Sequence, residues 1–361
     1  MKKLKSAPIL LLLIMCASGC KKTIETPYRT GILCDEFVYD TASFPSVHAS
    51  TIAETPSGLV CSFFGGSHEG NPDVCIYVSR HLEGKWSQPV KVAEGITNDT
   101  LRKACYNPVL YQIPGKELLL FYKIGKNVRD WSGWLIRSFD DGATWSAAEP
   151  LPEGFLGPIK NKPEAVNGNL VCPSSTEENG WLVHFEYTPD NGKTWTKTEA
   201  VNDSAFDIIQ PSILFRKEGG LQMICRSRNE NLISAYSADG IHWDKPFALP
   251  MPQNNSGTDA VTLKDGRHLL VYNHKKMAES WDQPQGRTPI NVALSHDGIN
   301  WEAALILEDS PIKEYSYPSV IQGKDGMVHI VYTWRREKIK YVKVDPAKLK
   351  SRPILNEVWP E

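Results

Sequence analysis

Six times along this chain a glycine turn is followed by a short apolar run, at Gly58, Gly115, Gly168, Gly220, Gly266 and Gly326, spaced 46 to 60 residues apart. Gly58-Leu-Val-Cys-Ser-Phe-Phe and Gly326-Met-Val-His-Ile-Val-Tyr are two examples. A second repeat is interleaved with the first. Ser138-Phe-Asp140-Asp-Gly142-Ala-Thr144-Trp145 recurs as Thr188-Pro-Asp190-Asn-Gly192-Lys-Thr194-Trp195. Versions one residue shorter follow at Ser237 to Trp243 and Ser295 to Trp301. Strand-forming segments repeating at this period cannot each bury a face alone, so they must stack as a propeller or solenoid. Six units of about four strands require roughly 300 residues, close to the length after the first thirty. The expected fold is all-β, a six-bladed β-propeller over residues 30–361.

The second repeat reads as a hairpin tip between the outer strands of a blade. Its aspartate accepts backbone N–H groups in a tight turn, and its glycine supplies the positive φ such a turn needs. The tryptophan that follows is an apolar plug for the gap between neighbouring sheets. These aspartates are therefore read as structural. Ring closure is also visible. The last repeat has a strand near 338–344 with no box after it, and Thr30 to Tyr39 has no blade of its own. Pairing that segment as the outer strand of the final blade removes an exposed edge.

The strand before each glycine turn begins unusually, at His48, Asn107-Pro108, Lys162-Pro163, Gln210-Pro211, Asp259 and Tyr317-Pro318. Proline survives only at a strand's first residue or on an edge, and the innermost strand of a blade is such an edge. His48, Asn107, Lys162, Gln210, Asp259 and Tyr317 should thus ring the central channel.

At the N-terminus, Met1-Lys2-Lys3-Leu4-Lys5 is basic and 9–15 is an apolar run too short to span a bilayer, which marks a targeting segment. Ala17-Ser18-Gly19-Cys20 resembles the lipobox of bacterial lipoproteins. That resemblance implies a signal peptide over 1–19, lipidation of Cys20, a tether over 20–29, and an exported cell-envelope protein touching the membrane only through lipid. Loss of 1–19 removes three lysines and no acid, taking the formal charge from −2 to −5. An acidic chain without a basic tract argues against nucleic acid as partner. No C-x-x-C pair or metal-like histidine spacing occurs, so neither metal, cofactor nor disulfide framework is expected. Cys61, Cys172 and Cys225 fall at similar points of apolar strands, as buried thiols would. The protein is expected to be a monomer.

With its boxes and blade count, the chain resembles the sialidase (neuraminidase) superfamily over essentially all of residues 30–345. The resemblance implies roles residue by residue. Tyr317, in Tyr315-Ser316-Tyr317-Pro318, matches the nucleophilic tyrosine. Arg226, in Cys225-Arg226-Ser227, and Arg287, in Gly286-Arg287-Thr288, match two of three carboxylate-binding arginines. The first arginine is absent, with His48-Ala49-Ser50 in its place. The glutamate that assists the nucleophile is Gln210 here. The acid would come from the loop Gly65 to Asp73, which offers His68, Glu69 and Asp73. The chain also resembles a sialidase-like subgroup carrying His-Ala-Ser-Thr, Gly-Gly-x-His-Glu-Gly and Gly-Pro-Ile-Lys-Asn-Lys-Pro patterns.

Lys123, Lys160 and Lys162 join Arg226, Arg228 and Arg287 near the expected channel mouth, a cationic focus in an acidic protein that suits an anionic sugar. Asn107, His68 and Asp259 complete the expected binding set. Three functions compete. In an exo-glycosidase cleaving a terminal acidic sugar, Tyr317 attacks the anomeric carbon, with His48 or Gln210 beside it and Glu69 or Asp73 as acid. In a uronate-directed polysaccharide lyase, the cations neutralise the carboxylate while His48, Tyr317 or a lysine removes a proton. A non-catalytic glycan-binding lipoprotein would keep the pocket alone.

Overall fold

Each of the six repeat glycines lies at positive φ, between 70° and 146°, at the turn of one inner hairpin. A computed structural model describes residues 28–98, 101–202, 204–277, 286–311 and 314–361; the leader, Cys20 and most of the expected tether lie outside them. The described regular elements are strands, and they form six antiparallel sheets arranged as blades plus one two-stranded ribbon, Ile96–Asn98 with Leu101–Arg102. The inner strands are Ser46–Thr55, Ala104–Gln112, Glu164–Val166, Ile208–Phe215, Asp259–Thr262 and Tyr315–Gln322. In blades two to five the outer two strands flank an aspartate box, as the repeat predicts. The ring closes as expected: Ile32–Phe37 pairs with Lys338–Val344 on the outside of the sixth blade.

The box tryptophans fill the space between blades. Trp243 of the fourth blade stacks on Phe185 of the third at 4.3 Å and 9°. Trp195 of the third meets Phe121 of the second edge-on at 6.1 Å. Burying a ring of this size contributes about 1.5–3 kcal/mol, so each repeat also supplies the contact that orders its neighbour. The box aspartate serves its own turn. Asp190 accepts from the Thr194 amide and hydroxyl, both at 2.8 Å, and from the Lys193 amide at 3.1 Å.

Inner strands are stitched by side chains reaching the next blade's backbone. Thr51 accepts from Leu110 N–H at 3.1 Å, Thr262 from Phe215 N–H at 2.9 Å, and Gln322 from Lys264 N–H at 2.7 Å. Glu54 completes the seam between last and first blades by accepting from Lys324 N–H at 2.8 Å. All six described cysteines are free thiols, with Cys61, Cys172 and Cys225 buried in the sheets.

Candidate functional site

Four inner strands break their ladder near the start. The register shifts between His48 and Thr51, between Ile209 and Ser212, between Ser316 and Ser319, and opposite Phe121–Lys123 in the second blade. At each bulge one non-glycine residue is left-handed: Ala49 (φ 54°), Asn107 (36°), Gln210 (56°) and Tyr317 (51°). Such a conformation costs on the order of 1–3 kcal/mol and persists only where the surroundings enforce it. Asn107, Gln210 and Tyr317 each precede a proline, so the bulge re-aims its side chain as the missing proline N–H ends the pairing.

The bulges correct one expectation. His48 does not occupy the position of Asn107, Gln210 and Tyr317 in the ring; Ala49 does, and His48 lies one residue earlier. The first strand has no proline after its bulge, so aligning it by its polar residue shifts the register by one. His48 nonetheless meets Tyr317, ring against ring, with centroids 4.2 Å apart.

The Tyr317 hydroxyl is the focus. Arg226 Nη1 donates to it at 2.8 Å, and Gln210 Nε2 lies at 3.5 Å. Arg226 also donates to Gln210 Oε1 at 3.2 Å and, through Nη2, to the Asn255 carbonyl and Oδ1 at 2.5 and 2.9 Å. Trp181 backs that guanidinium at 5.0 Å and carries Arg228 at 4.2 Å. The Arg287 guanidinium lies 5.6 Å from the Tyr317 ring centre. Two guanidiniums therefore lie close to one phenol ring centre, Arg226 at 5.7 Å and Arg287 at 5.6 Å.

Beside them is a charge cluster that the sequence reading missed. Glu314 accepts from Arg287 Nη1 at 2.8 Å on one oxygen and from Arg336 Nε at 2.7 Å on the other. Burial alone would raise the Glu314 carboxyl, but the Arg287 and Arg336 guanidiniums outweigh it and hold the group well below the ordinary carboxylate range. His48 Nδ1 lies 2.9 Å from Thr333 Oγ1 and 3.8 Å from Glu314 Oε1. Burial, then Arg336, push its pKa well below the usual histidine value, against the pull of Glu314, so the imidazole is neutral at neutral pH. Its contact with Tyr317 is ring to ring, with the two planes tilted by 47°. Among the described residues the phenol oxygen's hydrogen bonds are to Arg226 and Gln210, so His48 lies beside Tyr317 without a hydrogen bond to its hydroxyl.

The acid loop is also engaged. Arg336 Nη1 pairs with Glu69 Oε2 at 2.6 Å. Asp73 accepts from the Ser67 amide and hydroxyl, both at 2.8 Å, and caps its own exposed loop. His68 Nδ1 is 2.9 Å from the neighbouring Glu69 carbonyl and is exposed.

The lysines divide. Lys162 pairs with buried Asp259 at 3.4 Å and donates to the Ala260 carbonyl at 2.8 Å. Asp259 further accepts from Ser212 Oγ at 3.0 Å and from Val320 N–H at 2.9 Å, which ties three inner strands together. This pair is structural in the channel wall, where a binding role was expected. Lys123 is fully buried, donating to the Asn107 carbonyl at 3.3 Å and to the Pro158 carbonyl. Burial lowers it to about 7. Asn107 is likewise buried. Lys160 alone of the three approaches Tyr317, its Nζ 5.9 Å from the ring centre.

Comparison with known proteins agrees with this architecture. The model of the BNR repeat-like domain matches residues 57–330. The chain belongs to this BNR repeat family of the sialidase superfamily. It is 24% identical over 230 residues to the anhydrosialidase of Macrobdella decora, covering 56% of this chain and 30% of that protein. It is 29% identical over 157 residues to a sialidase of Clostridium perfringens, 38% of each chain. The chain thus spans less than half the length of these curated relatives. The NanB sialidase of Streptococcus pneumoniae superposes with a TM-score of 0.65 at 11% identity, covering 90% of this chain and 71% of that one, a likeness of fold.

Within this BNR repeat protein, the structure brings together Tyr317, His48, Gln210, Arg226, Arg287, Lys160 and, through Arg336, Glu69. It leaves Asp73, His68, Lys162 and Asp259 in other bonds. Glu314, Arg336, Asn255 and Trp181 were missed. Glu314 stands three residues before Tyr317 and was within reach of the sequence. Arg336 lies in a hairpin, at φ 60°, with nothing in Arg335-Arg336-Glu337 to single it out.

Proposed function

We propose that the protein is an exo-acting glycosidase that removes a terminal carboxylate-bearing sugar, with Tyr317 as nucleophile. The observation that carries this is the phenol oxygen held 2.8 Å from Arg226 Nη1, with the Arg287 guanidinium 5.6 Å from the ring centre. Cations placed beside the attacking oxygen stabilise the negative charge that the reaction develops around the anomeric centre and its carboxylate. The same guanidiniums suit a ligand carboxylate. Gln210 sits where a base would be useful and cannot act as one. The leader motif supports export and lipidation at Cys20; the substrate would then be an extracytoplasmic glycan or glycoconjugate.

A second reading has its own support. Glu69 is held by Arg336 and Asp73 by Ser67 of its own loop, so neither side chain is free to reach a leaving oxygen. A lyase acting on a uronate has no need of a separate carboxylic acid: His48, or Tyr317 once deprotonated, takes the C5 proton, the C4–O bond breaks as C4=C5 forms, the same group returns the proton to the departing oxygen, and Arg226 neutralises the carboxylate. Incubation of purified protein with acidic glycosides and uronate oligosaccharides separates the two. Hydrolysis gives a free saturated sugar, and elimination gives the ultraviolet absorbance of an unsaturated uronate. Under the glycosidase reading, Arg226→Ala weakens binding of the acid far more than of its methyl ester. Equal losses for acid and ester would rule out a carboxylate on Arg226.

A further inference from the structure

Lys160 lies in the segment Gly157-Pro158-Ile159-Lys160-Asn161-Lys162-Pro163, which leads into the third blade without being part of a sheet. Its backbone is clamped from two sides. The buried Glu186 carboxylate accepts from Leu156 N–H at 3.0 Å and Gly157 N–H at 2.6 Å, while Lys123 reaches the Pro158 carbonyl. The clamp sends the Lys160 side chain into the hub, where its Nζ donates to Asn161 Oδ1 at 2.8 Å, the Thr258 carbonyl at 2.8 Å and the Pro318 carbonyl at 2.5 Å. Three acceptors for three N–H bonds describe an ammonium group. A lysine with 4% of its surface exposed is uncommon unless its hydrogen bonds are complete.

Two of those acceptors belong to other blades, and Pro318 directly follows the left-handed Tyr317. On the far side, Gly257 packs against both groups. A methyl added there would come within 3.1 Å of Lys160 Cε and 3.1 Å of Tyr317 Cδ2. The phenol ring therefore lies against Gly257, with the Lys160 Nζ 5.9 Å from its centre.

We propose that Lys160 is the positioning residue for Tyr317. It locks the Tyr317-Pro318 bulge through the Pro318 carbonyl and holds the phenol against Arg226, with its own charge beneath the ring. The functional consequence rests on the reading of Tyr317 as nucleophile; the placement itself does not. Burial lowers the Lys160 pKa to about 7, partly offset by Asp259, so the lock weakens as pH rises through that value.

The test uses protein labelled with [ζ-13C]tyrosine, with the Tyr317 signal assigned by its loss in Tyr317→Phe. In Lys160→Met, which keeps length and loses charge, the Tyr317 signal moves while the other tyrosines near the rim stay in place. Raising pH from 6 to 9 moves the Tyr317 signal in the wild type, and Lys160→Met removes the part of that movement that follows the lysine. On whichever acidic glycoside the wild type turns over, kcat falls at least about tenfold with KM changed far less, as expected for an interaction that matters in the transition state. Gly257→Ala is the companion variant: it keeps the lysine and crowds both groups, and it too displaces the Tyr317 signal. A folded Lys160→Met or Gly257→Ala protein with an unmoved Tyr317 signal overturns the positioning role. Should Lys160→Met fail to fold, the Gly257→Ala result decides alone. Displaced signals in a protein without activity on any acidic glycoside would instead overturn the glycosidase reading and leave the positioning role standing.

Discussion

The rim and the hub of this propeller are both built from turns, carboxylates and glycines, yet they are wired differently. On the rim, Asp140 bonds within four residues of itself, to Ser138 and to the Thr144 amide and hydroxyl. At the hub, Arg226 reaches Tyr317 across 91 positions, Lys160 reaches Pro318 across 158, and Arg336 reaches Glu69 across 267. Rim polar groups complete one local turn. Hub polar groups depend on several blades being in place at once, and they surround the phenol that lies beside two arginines. The box aspartates are bonded within their own turns, whereas the groups around Tyr317 are bonded across blades.

The largest expected effect lies at the hub. Tyr317→Phe removes the hydroxyl and keeps the ring on Gly257, so the protein should melt near the wild-type temperature while turnover falls by more than about a hundredfold. Steady-state rates on an accepted acidic glycoside, compared with the thermal midpoint, test this. A variant that melts normally and still turns over would erase the distinction between hub and rim.

Next comes Glu314, the buried link between Arg287 and Arg336. Glu314→Gln leaves two guanidiniums sharing a neutral partner, and loss of one partner in a buried ion pair costs about 3–5 kcal/mol. Urea unfolding should report most of that, because the side chain is 9% exposed. The carboxyl is held below its ordinary range, so its stabilisation is present above the unfolded carboxylate pKa and is lost as pH falls through that range.

His48 gives a smaller, pH-dependent signature. Its folded pKa is depressed below the usual 6.5 by burial, so the folded state binds fewer protons than the unfolded chain. Stability is then full above about pH 6.5 and declines as pH falls, by up to about 1.4 kcal/mol per pH unit for one group. His274, lowered to about 4 by burial, and His81, His268 and His329 act in the same direction. Unfolding curves between pH 7 and pH 5 should lose part of their slope in His48→Gln, and an unchanged slope would show that His48 is charged in the folded protein.

The smallest effect belongs to the rim. Asp190→Ala should lower the thermal midpoint slightly and leave turnover unchanged, because this carboxylate is half-exposed and serves only its own turn. An inactive Asp190→Ala protein of normal stability would mean that the boxes take part in chemistry.

The same contrast explains what the sequence disclosed. The glycine turns, the aspartate boxes and the closure by Ile32–Phe37 are patterns a few residues wide, so blade number and strand order could be read directly. Tyr317, Arg226 and Gln210 were legible because each lies beside a proline bulge or at the end of an apolar strand. The register of His48 was misread by one because its strand has the bulge without the proline. Asp259 and Lys162 looked like free channel groups, and only the fold shows them paired. Arg336 comes from the closing hairpin and joins Glu69 of the first blade, a meeting that exists only once the ring is shut.

The most direct test of the central claim is covalent trapping on Tyr317. Protein incubated with a slowly turning over, fluorinated acidic glycosyl donor is measured by intact mass and then by peptide mapping. The expected result is a mass gain of one sugar residue, located on the peptide containing Tyr317 and absent in Tyr317→Phe. Product release with no adduct at Tyr317, or an unsaturated uronate as the product, would contradict nucleophilic attack by this tyrosine.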